Sequence, residues 1–359
     1  MGLLGGLPQK LRQVYAANIQ SALNVTVRQQ VMRRRPLYQT LAACSVFLLA
    51  CSGVSAQNYL VPRLANGQPD FSGVWTNDTI TPIERPAALS DRAFLSEDEI
   101  ASMEQNIAER RERNDNNIVV EAGGSVGGYN QIWLDSGDTV LSTGQTSMII
   151  DPPNGRAPIR ESALATRDFY FANVENDYIY HTVWDRCITR GVPGSMLPAG
   201  YNNAYRFLQT DDSFTIVYEM IHDVRTISLT KSGHIDGKVK LWMGDSVARW
   251  DGDTLEIETT NFNDRGMLAN SMAGGRLKGV PISEDFHVLE RFTRISADTI
   301  IWEARVTDPE NLTAPFTISM PLTQEPDYVM YEYACHEGNY AIENILSAGR
   351  ARDRQQASD

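Results

Sequence analysis

Between residues 204 and 334 apolar and polar side chains alternate in short runs broken by turn residues, a period of two that predicts β-strands. The runs fall at 204–209, 213–220, 224–229, 238–243, 247–250, 254–260, 286–294, 299–306, 315–320 and 328–334. Links such as Asp211-Asp212, Asp251-Gly252-Asp253 and Ser296-Ala297-Asp298 are far too short for a parallel crossover, so the neighbours are predicted to pair as antiparallel hairpins. So many successive strands would leave sheet edges to protect, which favours a closed barrel over a sandwich. The expected fold is therefore mainly β: an antiparallel meander closed into a barrel, with peripheral helices.

Before this region the pattern changes. Residues 70–76 are β-prone, and short strands are predicted at 131–133 and 146–150. Ser96-Glu97-Asp98-Glu99 reads as a capping box that opens an exposed helix to about residue 113, and a second helical stretch covers 159–172. Residues 339–352 predict a C-terminal helix. The run Gly123-Gly124-Ser125-Val126-Gly127-Gly128 lacks the Lys-Ser/Thr ending of a phosphate-binding loop and reads as a surface loop, as does the Gly- and Pro-rich stretch 184–194. No linker divides the chain after residue 56, so 57–359 is expected to be one β-rich domain with helical insertions in 96–172.

Arg33, Arg34 and Arg35 precede an apolar segment at 37–50, and Val54-Ser55-Ala56 supplies small residues for cleavage. Residues 1–56 therefore read as an export signal, which places the mature protein in the periplasm or outside the cell. Met32 stands just before the arginines, so residues 1–31, which contain no acidic residue, also read as sequence upstream of the true start. Leu48-Leu49-Ala50-Cys51 is similar to a lipoprotein cleavage box, the alternative in which a lipid on Cys51 anchors the chain. No membrane span is expected, because the apolar segment is short and abuts the cleavage site.

Removing residues 1–56 takes away six basic and no acidic side chains, which moves the formal charge from −13 to 26 minus 45, or −19. So acidic a protein does not suit nucleic acid or anionic membrane surfaces as partners, since both reward clustered Lys and Arg. Of the four cysteines only Cys187 and Cys335 remain after cleavage, and in an oxidising compartment they are expected to form a disulfide.

The chain contains no Gly-x-Ser-x-Gly elbow, no His-Glu-x-x-His, no Cys-x-x-Cys and no Cys-x-x-Cys-His haem attachment site. No cofactor is called for by any motif, and no metal site is expected, because His222, Asp223, His336 and Glu337 show no short ligand spacing. Two of the five histidines stand beside carboxylates. His222 precedes Asp223 at a hairpin turn, with Glu219 and Arg225 close across it; a carboxylate partner orients such a ring for general-base work near neutral pH. The plain alternative is a Glu219–Arg225 ion pair around a turn. His336 sits between Cys335 and Glu337 at the end of the last run, and reads equally as a rim group or a cap of the following helix. Tyr201, Asn202, Arg225 and Trp242 supply candidate substrate contacts. Period-two spacing sets Glu290 opposite His287 and Leu289, and an exposed Glu290 paired with Arg294 or Arg305 is the expected arrangement.

The strings Arg186-Cys187-Ile188-Thr189-Arg190-Gly191-Val192-Pro193, Tyr201-Asn202-Asn203, Glu219-Met220-Ile221-His222-Asp223-Val224-Arg225 and Trp250-Asp251-Gly252-Asp253-Thr254-Leu255, with the segment 331–341, resemble a family of exported bacterial proteins with no assigned chemistry. Separately, Gly73-Val74-Trp75 followed by a meander is similar to lipocalin-like barrels, whose first-strand Trp closes one end; that likeness implies a calycin-type cavity. Two functions are carried forward. One is an exported, cofactor-independent lyase, isomerase or hydrolase acting on a small apolar or aromatic compound in a barrel cavity, with His222 or His336 as base and Asp223 and Glu337 as orienting carboxylates. The other is a calycin-like small-molecule binding or carrier protein without catalysis.

Overall fold

In a computed structural model residues 59–116 and 134–358 are described. The expected export signal, the glycine-rich run and the strand expected at 131–133 lie outside the described residues. The chain divides into two units, Met1–Leu60 and Val61–Asp359, and every element below belongs to the second.

Among the described residues ten strands form: β1 (Gly73–Thr76), β2 (Ile149–Asp151), β3 (Ala204–Gln209), β4 (Ser213–Tyr218), β5 (Val224–Ser228), β6 (Asp245–Asp251), β7 (Thr254–Thr260), β8 (His287–Arg294), β9 (Thr299–Thr307) and β10 (Phe316–Gln324). Nine of them close into a barrel in the order β1-β3-β4-β5-β6-β7-β8-β9-β10, with β10 returning to β1 through Trp75↔Gln324 and Thr76↔Thr323. Strand β2 adds to β10 outside the ring, opposite Ile318 and Thr317. The closed hairpin meander is consistent with a lipocalin-like barrel, with one strand beyond the eight of that architecture. One pairing departs from the expected all-antiparallel meander: β5 and β6 run parallel and meet only at Ser228↔Val247, because residues 229–244 intervene where a tight hairpin would be needed.

Alternation decides which face of each strand turns inward. In β8 the even-numbered residues Val288, Glu290, Phe292 and Arg294 are buried, and in β9 so are Ile300, Trp302, Ala304 and Val306. The middle of the barrel is filled by rings. Phe207, Phe214 and Phe292 are fully buried and contact one another with centroids 5.2, 5.7 and 5.8 Å apart. Trp75 stacks on Phe207 at 6.3 Å, donates its Nε1–H to the Phe71 carbonyl at 3.0 Å and carries the Arg294 guanidinium 5.3 Å over its ring. Each such ring contributes about 2–3 kcal/mol by leaving water.

Among the described residues three α-helices decorate the barrel: α1 (Glu97–Asn116), α2 (Glu161–Ala172) and α3 (Ala341–Gln356). The capping box forms as the sequence predicts, with the Glu99 N–H donating to Ser96 Oγ at 3.3 Å and the Ser96 N–H donating to Glu99 Oε2 at 2.8 Å. Two expected strands do not form. Residues 238–243 hold only an isolated bridge at Leu241, and residues 328–334 run as irregular chain. The reason for the second is topological: β10, the strand it follows, is already paired with β9 on one side and with β1 and β2 on the other, so it offers no edge to the segment. Among the described residues no helix is long and apolar enough to cross a membrane.

Candidate functional site

The end of the barrel where β4 turns into β5 gathers most of the residues singled out from the sequence. The turn is closed by the Tyr218 N–H donating to the Asp223 carbonyl at 2.9 Å, and it forces Ile221 (φ 66°) and His222 (φ 46°) into left-handed backbone. For a β-branched residue such as Ile221 that conformation costs about 1–3 kcal/mol, a strain usually found where the chain must present a particular group. Here it presents His222, whose ring is exposed and whose Nδ1–H donates to the Tyr333 carbonyl at 2.5 Å. The carbonyl accepts only, which assigns the proton to Nδ1 and leaves Nε2 as the basic lone pair.

Asp223 is not the group that orients this ring. Its Oδ2 accepts from Thr189 Oγ1 at 2.6 Å and its Oδ1 from the Val224 N–H at 3.0 Å, while burial pushes its carboxyl above the usual carboxylate range. Nor does Glu219 pair with Arg225. Glu219 is buried and accepts from the Tyr328 hydroxyl at 3.0 and 3.1 Å and from the Tyr331 N–H at 2.8 Å, which pins the chain after β10 across the barrel end.

That chain is held again by the expected disulfide between Cys187 and Cys335. Around it lies an apolar cluster of Ala199, Met220 and Ile221 with half-buried Trp184, Tyr201 and Tyr333. Tyr201 and Tyr333 are nearly parallel, with centroids 6.3 Å apart and planes at 11°, and Trp184 lies 6.4 Å from Tyr201. This aromatic surface adjoins the imidazole, since it is the Tyr333 carbonyl that fixes His222.

Beneath the rim is a buried polar layer. Arg225 enters from β5 and is 5 % exposed; its Nη2 lies 2.6 Å from Glu290 Oε2 and 2.6 Å from Thr259 Oγ1, and its Nε donates to Ser246 Oγ at 3.0 Å. Burial works against the charge on Arg225, but the Glu290 carboxylate outweighs it and holds the pKa above the ordinary value. Glu290, expected on the outer face, is fully buried and also accepts from Trp302 Nε1 at 3.1 Å. The alternation was right about its face and wrong about which face looked inward, because the partner that makes burial tolerable comes from a strand far along the sequence.

Arg190 is the residue that the sequence did not single out. It is 2 % exposed, donates from Nη2 to the Leu197 carbonyl at 2.8 Å, and has no carboxylate within ion-pair distance among the described residues. Its electrostatic neighbours are Tyr205, Tyr333, Tyr201 and Tyr218, and burial pushes its pKa down. An uncompensated buried guanidinium costs several kcal/mol. The same layer holds further buried groups without a well-directed hydrogen-bond partner among the described residues: Arg190 Nε, Arg225 Nη1, the Tyr205 and Tyr218 hydroxyls and Asn77 Oδ1. The sequence carried no sign of this, since Arg190 lies in a Gly- and Pro-rich loop and only the folded chain brings it over β3 and β4.

The remaining expected residues lie apart from these contacts. Asn202 has φ 53° and serves the turn before β3, while its neighbour Asn203 is buried and braces the loop through Ala199 and Asp135. Trp242 is half-buried, with the Arg186 guanidinium 6.0 Å from its ring. His336 and Glu337 are exposed on the turn after Cys335, and their side chains make no hydrogen bond to His222. The other paired histidines stand elsewhere: His234 Nδ1 bonds Asp245 at 2.9 Å and His287 Nε2 bonds Glu258 at 2.9 Å. Among the described residues no group of three or more His, Cys, Asp and Glu is arranged to hold a metal ion.

A barrel end that joins a fixed imidazole, stacked aromatics and buried donors can seat a small molecule with an apolar body and a polar head, and can take a proton from it. Comparisons of the chain with protein-family models, with curated proteins and with solved structures find no match.

Proposed function

We propose that this protein is an exported enzyme, a lyase, isomerase or hydrolase, that binds a small aromatic or apolar compound at the disulfide-bearing end of its barrel and uses His222 as general base. The observation that carries this is the pairing of strain with orientation: a left-handed Ile221-His222 turn presents an imidazole whose tautomer is set by the Tyr333 carbonyl. Tyr201 and Tyr333 offer the apolar contact, and the buried layer of Arg225, Tyr218 and Arg190 offers donors for an oxygen that gains charge as the proton leaves. Export is supported by the Cys187–Cys335 disulfide, which an oxidising compartment preserves.

The second reading, a carrier without catalysis, is favoured by the depth of the donors: Arg190, Tyr205 and Tyr218 are all at least 98 % buried, a setting that suits holding a ligand. One experiment separates the two. Purified protein and its His222→Asn variant, chosen because Asn tolerates left-handed backbone, are incubated with a small-molecule extract of the producing cells and followed by mass spectrometry. A compound consumed by the parent and spared by the variant supports the enzyme. Equal consumption by both removes His222 from the mechanism, and a compound retained unaltered by both supports the carrier.

A further inference from the structure

The chemistry of the buried layer says more than the rim does about what is bound. Its groups without a well-directed partner are Arg190 Nε–H, Arg225 Nη1–H, the hydroxyls of Tyr205 and Tyr218 and the acceptors Asn77 Oδ1 and Glu290 Oε2; Arg225 lies against the Tyr218 hydroxyl and Asn77 against that of Tyr205, which leaves Arg190 Nε–H and the two hydroxyl protons to be met. Arg225 already has its counter-charge in Glu290, whereas Arg190 has no carboxylate within ion-pair distance among the described residues. Each donor residue is at least 95 % buried, and the four come from adjoining pieces of structure: the loop before β3, the start of β3, the end of β4 and the start of β5. Tyr205 and Tyr218 face each other across the β3–β4 register with their rings edge to face at 5.7 Å.

Acceptor-only oxygens with one negative charge would satisfy these donors and give Arg190 a counter-charge at once, which is the description of a carboxylate. We infer that Arg190, Tyr205 and Tyr218, assisted by Arg225, form the binding site for the carboxylate of a small organic acid whose apolar part lies against Tyr201 and Tyr333. The inference rests on the reading of this barrel end as a ligand site and adds the charge of the ligand to it. A guanidinium is suited to the task because its planar fork matches a carboxylate, whereas a lysine would offer only a point charge.

The test uses the oxidised protein with benzoate as probe, benzamide as its uncharged counterpart and chloride as a simple anion, read by the thermal midpoint and by titration calorimetry. Benzoate is expected to raise the midpoint, with benzamide and chloride at equal concentration leaving it unchanged. Arg190→Met should weaken benzoate binding by about tenfold or more, the loss of a charge-assisted pair. Tyr218→Phe should weaken it less, and Arg190→Lys should fall between parent and Arg190→Met. The free Arg190→Met protein should fold at least as stably as the parent, because no opposite charge is stranded by the change. An equal response to benzoate and benzamide, a matching response to chloride, an undiminished benzoate response in Arg190→Met, or no benzoate response in the parent would each overturn the inference, the last by leaving bound water as what satisfies the donors. Failure of the catalytic reading looks different: turnover is then unchanged in His222→Asn while the benzoate response persists.

Discussion

Arg225 on β5 and Glu290 on β8 lie 2.6 Å apart inside the barrel although β6 and β7 separate their strands in the sheet. The contact ties the wall across its interior, with Thr259 and Ser246 of the intervening strands bonded to the same guanidinium. Removing one partner would strand the other's charge, so Glu290→Ala is expected to lower stability by about 3–5 kcal/mol in urea unfolding. Replacing both, as Arg225→Met with Glu290→Leu, should recover most of that loss.

The disulfide closes a loop of 148 residues between Cys187 and Cys335. In the chain-entropy model such a loop contributes about 5 kcal/mol. Cys335→Ser should therefore lower the unfolding midpoint strongly, and dithiothreitol should do the same to the parent but not to the variant. Because Tyr333 lies two residues from Cys335, the variant should also release the His222 ring, seen as a changed imidazole resonance in NMR.

Asp135 has its carboxyl pushed up to about 6 by burial, with the negative charge of Asp78 adding to the effect. Its ordinary value is 3.8. Below that both folded and unfolded chains are protonated here; between about 4 and 6 the folded chain keeps a proton that the unfolded chain has released. This residue therefore makes stability fall as pH rises through that window, with the full cost present above it. Allowing for solvent screening at a site that is still partly open, the cost is about 1–2 kcal/mol. Asp135→Asn should remove that slope and stabilise the protein at pH 7, measured by urea unfolding at pH 4 and pH 7.

Gly244 leads into β6 with φ 68°, and a Cβ built on it would stand 2.5 Å from the Thr260 carbonyl oxygen. Gly252, in the β6–β7 turn, has φ 61° but nothing within 4 Å of that position. Gly252→Ala should cost about 1 kcal/mol for backbone conformation alone, and Gly244→Ala clearly more, since backbone must also shift. Denaturant unfolding of the two variants side by side checks the contrast.

The strands of the barrel were legible because each carries its own alternation and ends at its own turn residues: β3 at 204–209 and β7 at 254–260 match the expected limits. What closes the barrel was not, since the pairing of Trp75 with Gln324 joins residues 249 positions apart. The segment 328–334 has the alternation of a strand but no edge to join, so tertiary context overrode its local preference. The imidazole at the β4–β5 turn could be picked from its neighbours, but its orienting group could not, because a backbone carbonyl has no signature in sequence. Arg190 was illegible for a similar reason. Its significance comes from burial without a carboxylate partner among the described residues, and that depends on how the loop folds over β3 and β4.

The single bridge between Ser228 and Val247 gives the barrel its most lightly stitched seam, thinner than the two-pair closure of β10 on β1 and flanked by strands that are laced along their full length. A cylinder of this kind is circumferentially complete yet mechanically uneven. Thermal breathing, exchange of amide hydrogens with deuterium and the first gap under an applied load would all concentrate along that line, beside the Arg225–Ser246 contact.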